Sequence, residues 1–407
     1  MQPLSPQPSL PVPNHTALQH SRTVKELIRA EIAAAGGWIS FEHYMSLALY
    51  KPGLGYYSGG AAKFGQEGDF VTAPEISSLY GRALARQAAQ VLELTDGGHI
   101  LEFGAGTGKL ALDMLLELEE LDRLPKRYCI LEVSGELRQR QQGLFDRHAP
   151  HLATRVAWLE HLPEQFSGLI LANEVLDAMP VHLIRWSGPD LFERGVSGDG
   201  EEFSWSDRPL MQGELFDAAR NLGMMADPAI GDAGGYLDSP GRDGYVSEIN
   251  LAARHFMISL GGILKTGAVL LIDYGFGHNE YYHPQRNRGT LMCHYRHYAH
   301  DDPFYLPGLQ DITSHVDFSA IAEAADKAGL DMLGYTSQAN FLINCGITSL
   351  LAQIPADNAK EYLPLANQVQ KLLSPAEMGD LFKVAAFGRN VSTPLTGFTS
   401  GNKSHLL

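Results

Sequence analysis

At 407 residues the chain is long enough for about two to three domain-sized units and a large buried core. Its 44% hydrophobic and 19% charged residues describe a globular protein, and a formal charge of −16 argues against a surface built to coat nucleic acid or an anionic membrane. Cys129, Cys293 and Cys345 stand far apart with no C-x-x-C pair, which argues against a disulfide framework or a zinc site and for a reducing compartment.

No apolar run approaches the ~18 residues of a membrane span. The first 21 residues are rich in Pro and Ser and hold no Lys or Arg, so they fit neither a signal peptide nor a transit peptide. They read as a disordered tail over 1–22 of a cytoplasmic, bacterial protein. Helical spacing from Val24 to Ala35 stops at Gly36-Gly37, and Ser40 is placed to cap a second helix over Phe41 to Tyr50. The segment 52–76, rich in glycine and aromatics, suits a lid over a ligand or an ordinary surface loop. A long helix follows from about Ser78 to Leu94. These pieces make an N-terminal helical and lid segment over 23–95.

At 96–177 the rhythm becomes α/β. Ile100 to Phe103 is an apolar run carrying the acid Glu102. Gly104, Gly106 and Gly108 follow at every second position, and then come helical positions Leu110, Ala111, Met114, Leu115 and Leu118. This is a strand, a tight turn and a helix, with glycines where the backbone must turn sharply and let a ligand approach. A dinucleotide fingerprint would need glycine at 109, where Lys109 stands. A P-loop would need glycine at 103 and Ser or Thr at 110, where Phe103 and Leu110 stand. The bland alternative is a structural turn without a ligand. Tyr128 to Glu132 reads as strand two. Glu132 comes 24 residues after Gly108 (132 − 108), near the ~20 expected of a ribose-binding carboxylate. A helix over Glu136 to Phe145 and a strand at about Arg155 to Trp158 come next. Gly168 to Glu174 is a continuous apolar run that ends in two polar residues, as a buried parallel strand should. Ligands bind beyond the carboxyl ends of such strands, so Asn173, Glu174 and Asp177 project where chemistry is expected.

Residues 178–246 break the pattern with three short strands and read as a small β insertion. The stretch 247–390 resumes the core. It holds a helix from Glu248 to Leu264 and a strand from Ala268 to Gly275 that carries Asp273. A loop of little regularity over 276–316 is assigned to substrate binding. A helix from Phe318 to Ala328, a strand near Asp331 to Thr336, helices within 338–380 and a last strand over Phe382 to Phe387 complete it. The histidines of the 276–316 loop lack the spacing of a metal helix, so no metal site is expected. Residues 391–407 read as a tail.

The pattern E-h-G-x-G-x-G resembles motif I of the class I methyltransferases that use S-adenosylmethionine. Further segments resemble one family more closely: Gly68-Asp69-Phe70-Val71-Thr72-Ala73-Pro74-Glu75-Ile76-Ser77, Asn173-Glu174-Val175-Leu176-Asp177-Ala178-Met179-Pro180-Val181, Asp273-Tyr274-Gly275, and Asp311 to Phe318. From about residue 23 to 390 the chain is similar to the MidA family of S-adenosylmethionine-dependent methyltransferases, whose mitochondrial members act as complex I assembly factors. Many members carry Pro and Arg where this chain has Ala105 and Thr107. The resemblance implies a Rossmann-like seven-stranded sheet and S-adenosyl-L-methionine as cofactor. It also implies methylation of arginine in a protein substrate; a small molecule or another protein side chain as acceptor, or a non-catalytic binding protein on the same fold, stays open. The acidic charge and the lack of an apolar span argue against nucleic acid or membrane as partner. Glu102, Gly104, Gly106, Gly108 and Glu132 are then the expected cofactor residues, with Asp69, Thr72 and Glu75 closing over them. Glu174 is the first candidate to orient a guanidinium, beside Asn173, with Asp177, Glu248 or Asp273 as a second carboxylate.

Overall fold

The computed structural model describes residues 10–59, 72–198, 202–224, 244–355 and 357–407. Its contacts divide the chain into two units. One runs over Ala62–Asp177, Arg254–His278 and Val316–Leu407, the other over Met1–Ala61, Ala178–Ala253 and Asn279–His315.

The first of these units is built on seven core strands: β1 His99–Phe103, β2 Tyr128–Leu131, β3 Val156–Leu159, β4 Phe166–Asn173, β5 Leu264–Phe276, β6 Asp331–Ser337 and β7 Phe382–Arg389. Their order across the sheet is β6-β7-β5-β4-β1-β2-β3. The strands from β5 to β3 pair in parallel, and β7 lies antiparallel to both its neighbours. Leu169 to Ala172 and Ala268 to Ile272 are buried on both faces, which is why β4 and β5 carry no polar alternation. Helix α1, Ser78–Leu94, starts where Ser77 accepts from the Leu79 N–H, and it packs on α2, Lys109–Glu120. Helix α3, Gly135–His148, begins at Ser134, whose hydroxyl accepts from the Leu137 N–H. At the far end of β7 the Arg389 guanidinium donates to the carbonyls of Gly261, Leu264, Ala328 and Gly329. Those groups would otherwise be orphaned where two helices end.

The other unit holds helices His15–Ala34 and Phe41–Tyr50. Its larger sheet is antiparallel, with Asp190–Ser197 paired to Ile39–Ser40, His182–Ser187 and Ser204–Pro209, and Tyr245–Ile249 beyond His182–Ser187. A smaller sheet joins Tyr298–His300, Met292–Tyr295 and Asp311–Thr313. Val24, Ile28, Phe41, Tyr44, Val181, Val196 and Ile312 belong to one core.

Several expectations need correction. The tail expected over 1–22 turns helical at His15: the Asn14 side chain accepts from the Ala17 N–H at 2.8 Å, and Ser21 is already buried. The helix expected from Glu248 starts instead at Leu251. Residues 245–249 are taken into the sheet, and Asn250 accepts from the Ala253 N–H in capping position. The helix Glu214–Met224 lies inside the insertion expected to be β alone. The irregular stretch 276–316 contains a three-stranded sheet and a one-turn helix, His278–Tyr281. The tail expected over 391–407 is packed, with Leu395 and Phe398 in the sheet unit's core and the Gly397 N–H donating to Gln87. No described helix is long and apolar enough to cross a membrane.

Candidate cofactor and acceptor site

The glycine turn leaves β1 at Gly104, whose N–H donates to Leu131 O at 3.1 Å. Gly104 and Gly106 hold φ of +60° and +54°, values an L side chain adopts only with strain. A Cβ on Gly106 would meet nothing within 4 Å, so the turn has open space on that side, as a ligand-approach surface requires. Thr107 acts locally: its Oγ1 accepts from the Lys109 N–H at 3.3 Å and donates to Glu75. Glu75 belongs to the one-turn helix Ala73–Ile76, so this helix is fastened to the turn.

Two carboxylates lie beside the turn. Glu102, at 2% exposure, accepts from the Tyr128 hydroxyl at 2.7 Å. Burial pushes its carboxyl up to about 7, with the Tyr128 bond pulling the other way. Glu132 follows β2 directly. Its Oε1 accepts from the Ser134 N–H at 3.0 Å and its Oε2 from Gln141 Nε2 at 3.3 Å. Burial raises its pKa and these bonds oppose the rise. A carboxylate offers about four lone-pair directions, so Glu132 retains capacity for a diol. The adjacent Val133 is an exposed apolar side chain. Open glycine backbone, a diol-accepting acid and an apolar surface together suit a nucleoside carrying an amino-acid chain.

A second group forms at the end of β4. Tyr80, fully buried on α1, donates to Asn173 Oδ1 at 2.5 Å, and Asn173 Nδ2 donates to Glu174 Oε1 at 3.1 Å. The Ala73 N–H reaches the same oxygen at 3.4 Å. Glu174 sits at φ +53°, a left-handed conformation unusual for its type, locked by its own N–H on Ile272 O. The Tyr80 phenol is raised well above its ordinary value, by burial first and then by Glu174 and Asp273.

The expected cluster of carboxylates is thus sorted by role. Asp273 is fully buried, and its oxygens accept from the N–H groups of Leu176, Asp177 and Tyr274 at 2.9, 3.2 and 2.9 Å. It shapes the 174–177 turn rather than presenting itself to an acceptor. Burial and the neighbouring Glu174 charge push its pKa up. Asp177 is buried in that turn. Glu248 belongs to the other unit, where its carboxylate accepts from the Thr290 and Leu291 N–H groups and the Tyr281 hydroxyl, pinning residues 290–291. With two N–H groups on Oε1 and the Tyr281 and Thr290 hydroxyls on Oε2, all four lone-pair directions of Glu248 are taken, which argues against it as an acceptor ligand. Thr72 precedes the Ala73–Ile76 helix without a side-chain cap bond, and Asp69 lies outside the described residues. Tyr80 and Gln141 were not expected, because each reads as an ordinary position in a helical pattern.

A sheet ordered 3-2-1-4-5-7-6 with only the seventh strand reversed, and a glycine turn flanked by acids at the ends of its first two strands, define a class I S-adenosylmethionine-dependent methyltransferase. A model of S-adenosyl-L-methionine-dependent methyltransferases, Methyltransf_28, matches residues 83–336. The chain belongs to this family, the MidA-type methyltransferases, and S-adenosyl-L-methionine is its cofactor. It is 51% identical to a Burkholderia thailandensis protein whose crystal structure holds S-adenosyl-homocysteine, with a TM-score of 0.91 over 98% of this chain and 100% of that one. It is also similar to the mitochondrial protein arginine methyltransferase NDUFAF7 homolog of Drosophila melanogaster, at 28% identity over 93% of this chain and 89% of the relative. NDUFAF7 of Mus musculus is 29% identical over 85% and 80%.

Proposed function

We propose that the protein methylates arginine side chains of a protein substrate, and that Glu174 is the carboxylate that receives the guanidinium. The resemblance extends this to a subunit of respiratory complex I. Arginine specificity is suggested by the relatives named protein arginine methyltransferases, at 28% and 29% identity. The observation that carries the role of Glu174 is its setting: a left-handed residue at the end of β4, held from two sides by Asn173 and the Ala73 N–H.

The glycine turn, Glu132 and, beneath them, Glu102 are the residues that would hold the cofactor, which supplies a methyl group on a sulfonium. An arginine guanidinium stays cationic at any working pH and is a poor nucleophile. A carboxylate paired with it draws the positive charge toward one end and leaves the opposite nitrogen better able to attack. Asn173 keeps the Glu174 carboxylate in one orientation by donating to it, and Tyr80 fixes Asn173. Asp273 supports the turn that begins at Glu174. Positioning of this kind is the main contribution a protein makes to a transfer whose leaving group is already activated.

The test is methylation of host protein fractions with labelled S-adenosylmethionine, followed by hydrolysis and amino-acid analysis, for the wild type and Glu174→Gln. Label in methylarginine, lost in the variant while S-adenosyl-homocysteine still binds, supports the proposal. Label in another residue or a small molecule overturns the arginine reading, and unchanged turnover by Glu174→Gln removes that residue from the chemistry.

A further inference from the structure

Gln141 is a polar side chain with no solvent exposure, standing in a helix of which only Gln141 and Phe145 are buried. Burying an amide is costly unless its hydrogen-bonding groups are matched, and here each has a partner. Gln141 Oε1 accepts from Trp158 Nε1 at 2.8 Å. Its Nε2 donates to Gly106 O at 2.9 Å and to Glu132 Oε2 at 3.3 Å. The indole N–H can only donate, so Trp158 dictates which end of the amide is oxygen. The NH2 group is thereby directed at the glycine turn and at the carboxylate. The contact is close as well: a Cβ on Gly108 would lie 3.1 Å from Gln141 Cγ.

We infer that Gln141 is a positioning residue for the cofactor, oriented by Trp158. It sets the rotamer of Glu132 for the ribose hydroxyls, and its bond to Gly106 O anchors the amide itself. The inference rests on Glu132 as the ribose acceptor. It adds that the acid is kept in place through a chain from β3 to α3 to the glycine turn, with Ser134 gripping the other oxygen. Two consequences follow chemically. Loss of the amide N–H groups should weaken ligands that carry the ribose diol more than ligands that lack it. Loss of the Trp158 N–H should act in the same direction, because the amide is then no longer held in one orientation.

The experiment is calorimetric titration of the full chain with S-adenosyl-homocysteine and with its 2′,3′-dideoxy analogue, using wild type, Gln141→Met, Trp158→Phe, Glu132→Gln and the Gln141→Met/Glu132→Gln double variant. Thermal melts accompany each titration. Gln141→Met should weaken S-adenosyl-homocysteine by about tenfold, as expected for losing a hydrogen bond to a charged group. It should leave the dideoxy analogue nearly unaffected. The double variant should bind no worse than Glu132→Gln alone, since both act through one carboxylate. Trp158→Phe keeps a ring in place and should show a smaller loss with the same preference for the diol. If Glu132→Gln weakens S-adenosyl-homocysteine while Gln141→Met does not, or if the two losses multiply, the role given to Gln141 is overturned and Glu132 stands. If Glu132→Gln binds both ligands as the wild type does, the ribose reading itself fails. Equal losses for both ligands with a lowered melting temperature would mean a structural role only, which also overturns the inference.

Discussion

Glu102 offers a sharp test of how the site is built into the sheet. Its carboxyl ionises near pH 4.5 in an unfolded chain and near 7 in the folded one, because burial disfavours the charge. The folded state therefore holds the proton more tightly. The resulting stability is present in full below about pH 4.5, is lost as pH rises through 7, and levels off above. A difference of 2.5 between 7 and 4.5 corresponds to about 3 kcal/mol at 1.36 kcal/mol per unit. Glu102→Gln preserves the shape and an oxygen for the Tyr128 hydroxyl, and it cannot ionise. Urea unfolding of both proteins between pH 4.5 and 8 isolates the contribution of Glu102 together with its coupling to the neighbouring Glu132 charge, while Asp273 and Glu248 titrate alike in each. The wild type should lose about 3 kcal/mol relative to Glu102→Gln across that range. A gap between the two proteins that stays constant with pH would refute the reasoning.

Two further perturbations probe the supports of the site. Tyr80→Phe removes the donor to Asn173 Oδ1 in a buried setting and should cost about 1–2 kcal/mol in urea unfolding. It should lower kcat with little change in KM for the cofactor, and an unchanged kcat would show that Asn173 is held by other means. Glu117, on α2, pairs with Arg82 at 2.5 Å and Arg86 at 3.3 Å while only 3% of its side chain is exposed. Glu117→Gln removes the buried counter-charge shared by both guanidinium groups, leaving Arg82 only the exposed Glu120, and should lower stability by about 2 kcal/mol, read as a fall in melting temperature. A melting temperature equal to the wild type's would mean that Glu120 and Gly346 O suffice for them.

The sheet was the legible part of the sequence. Strands β4 and β5 announce themselves because both faces are covered, so the chain runs apolar without interruption. The helix Phe41–Tyr50 follows from Ser40 and its local bond to the His43 N–H. Illegible elements are those whose stability is not local. Met292–Tyr295 carries Cys293 and His294 and has no clear alternation, and it becomes a strand because Asp311–Thr313 and Tyr298–His300 pair with it. Within the site, spacing and the family resemblance pointed to Glu102, Glu132 and Glu174. Position in a motif does not reveal how a carboxylate is used. Asp273 spends its oxygens on backbone N–H groups and Glu248 on backbone N–H and hydroxyl groups, and only the folded chain brings those donors to them. Gln141 was hidden for the opposite reason, since a long polar residue inside an amphipathic helix reads as a solvent position.

The one-turn helix Ala73–Ile76 is the shortest element at the site, and it is fastened at both ends. Its first N–H meets the Glu174 carboxylate, and Glu75, two residues on, meets Thr107 in the glycine turn. Pro74 fixes the first turn and has no N–H of its own to satisfy. One inserted residue between the two attachment points would rotate them by about 100° and shift them by about 1.5 Å, parting at least one. The spacing between Ala73 and Glu75 is therefore matched to the gap between Glu174, just beyond β4, and Thr107, in the turn after β1, two strands whose own separation the sheet pairing sets. Substitutions there can be absorbed one contact at a time, whereas insertions and deletions cannot.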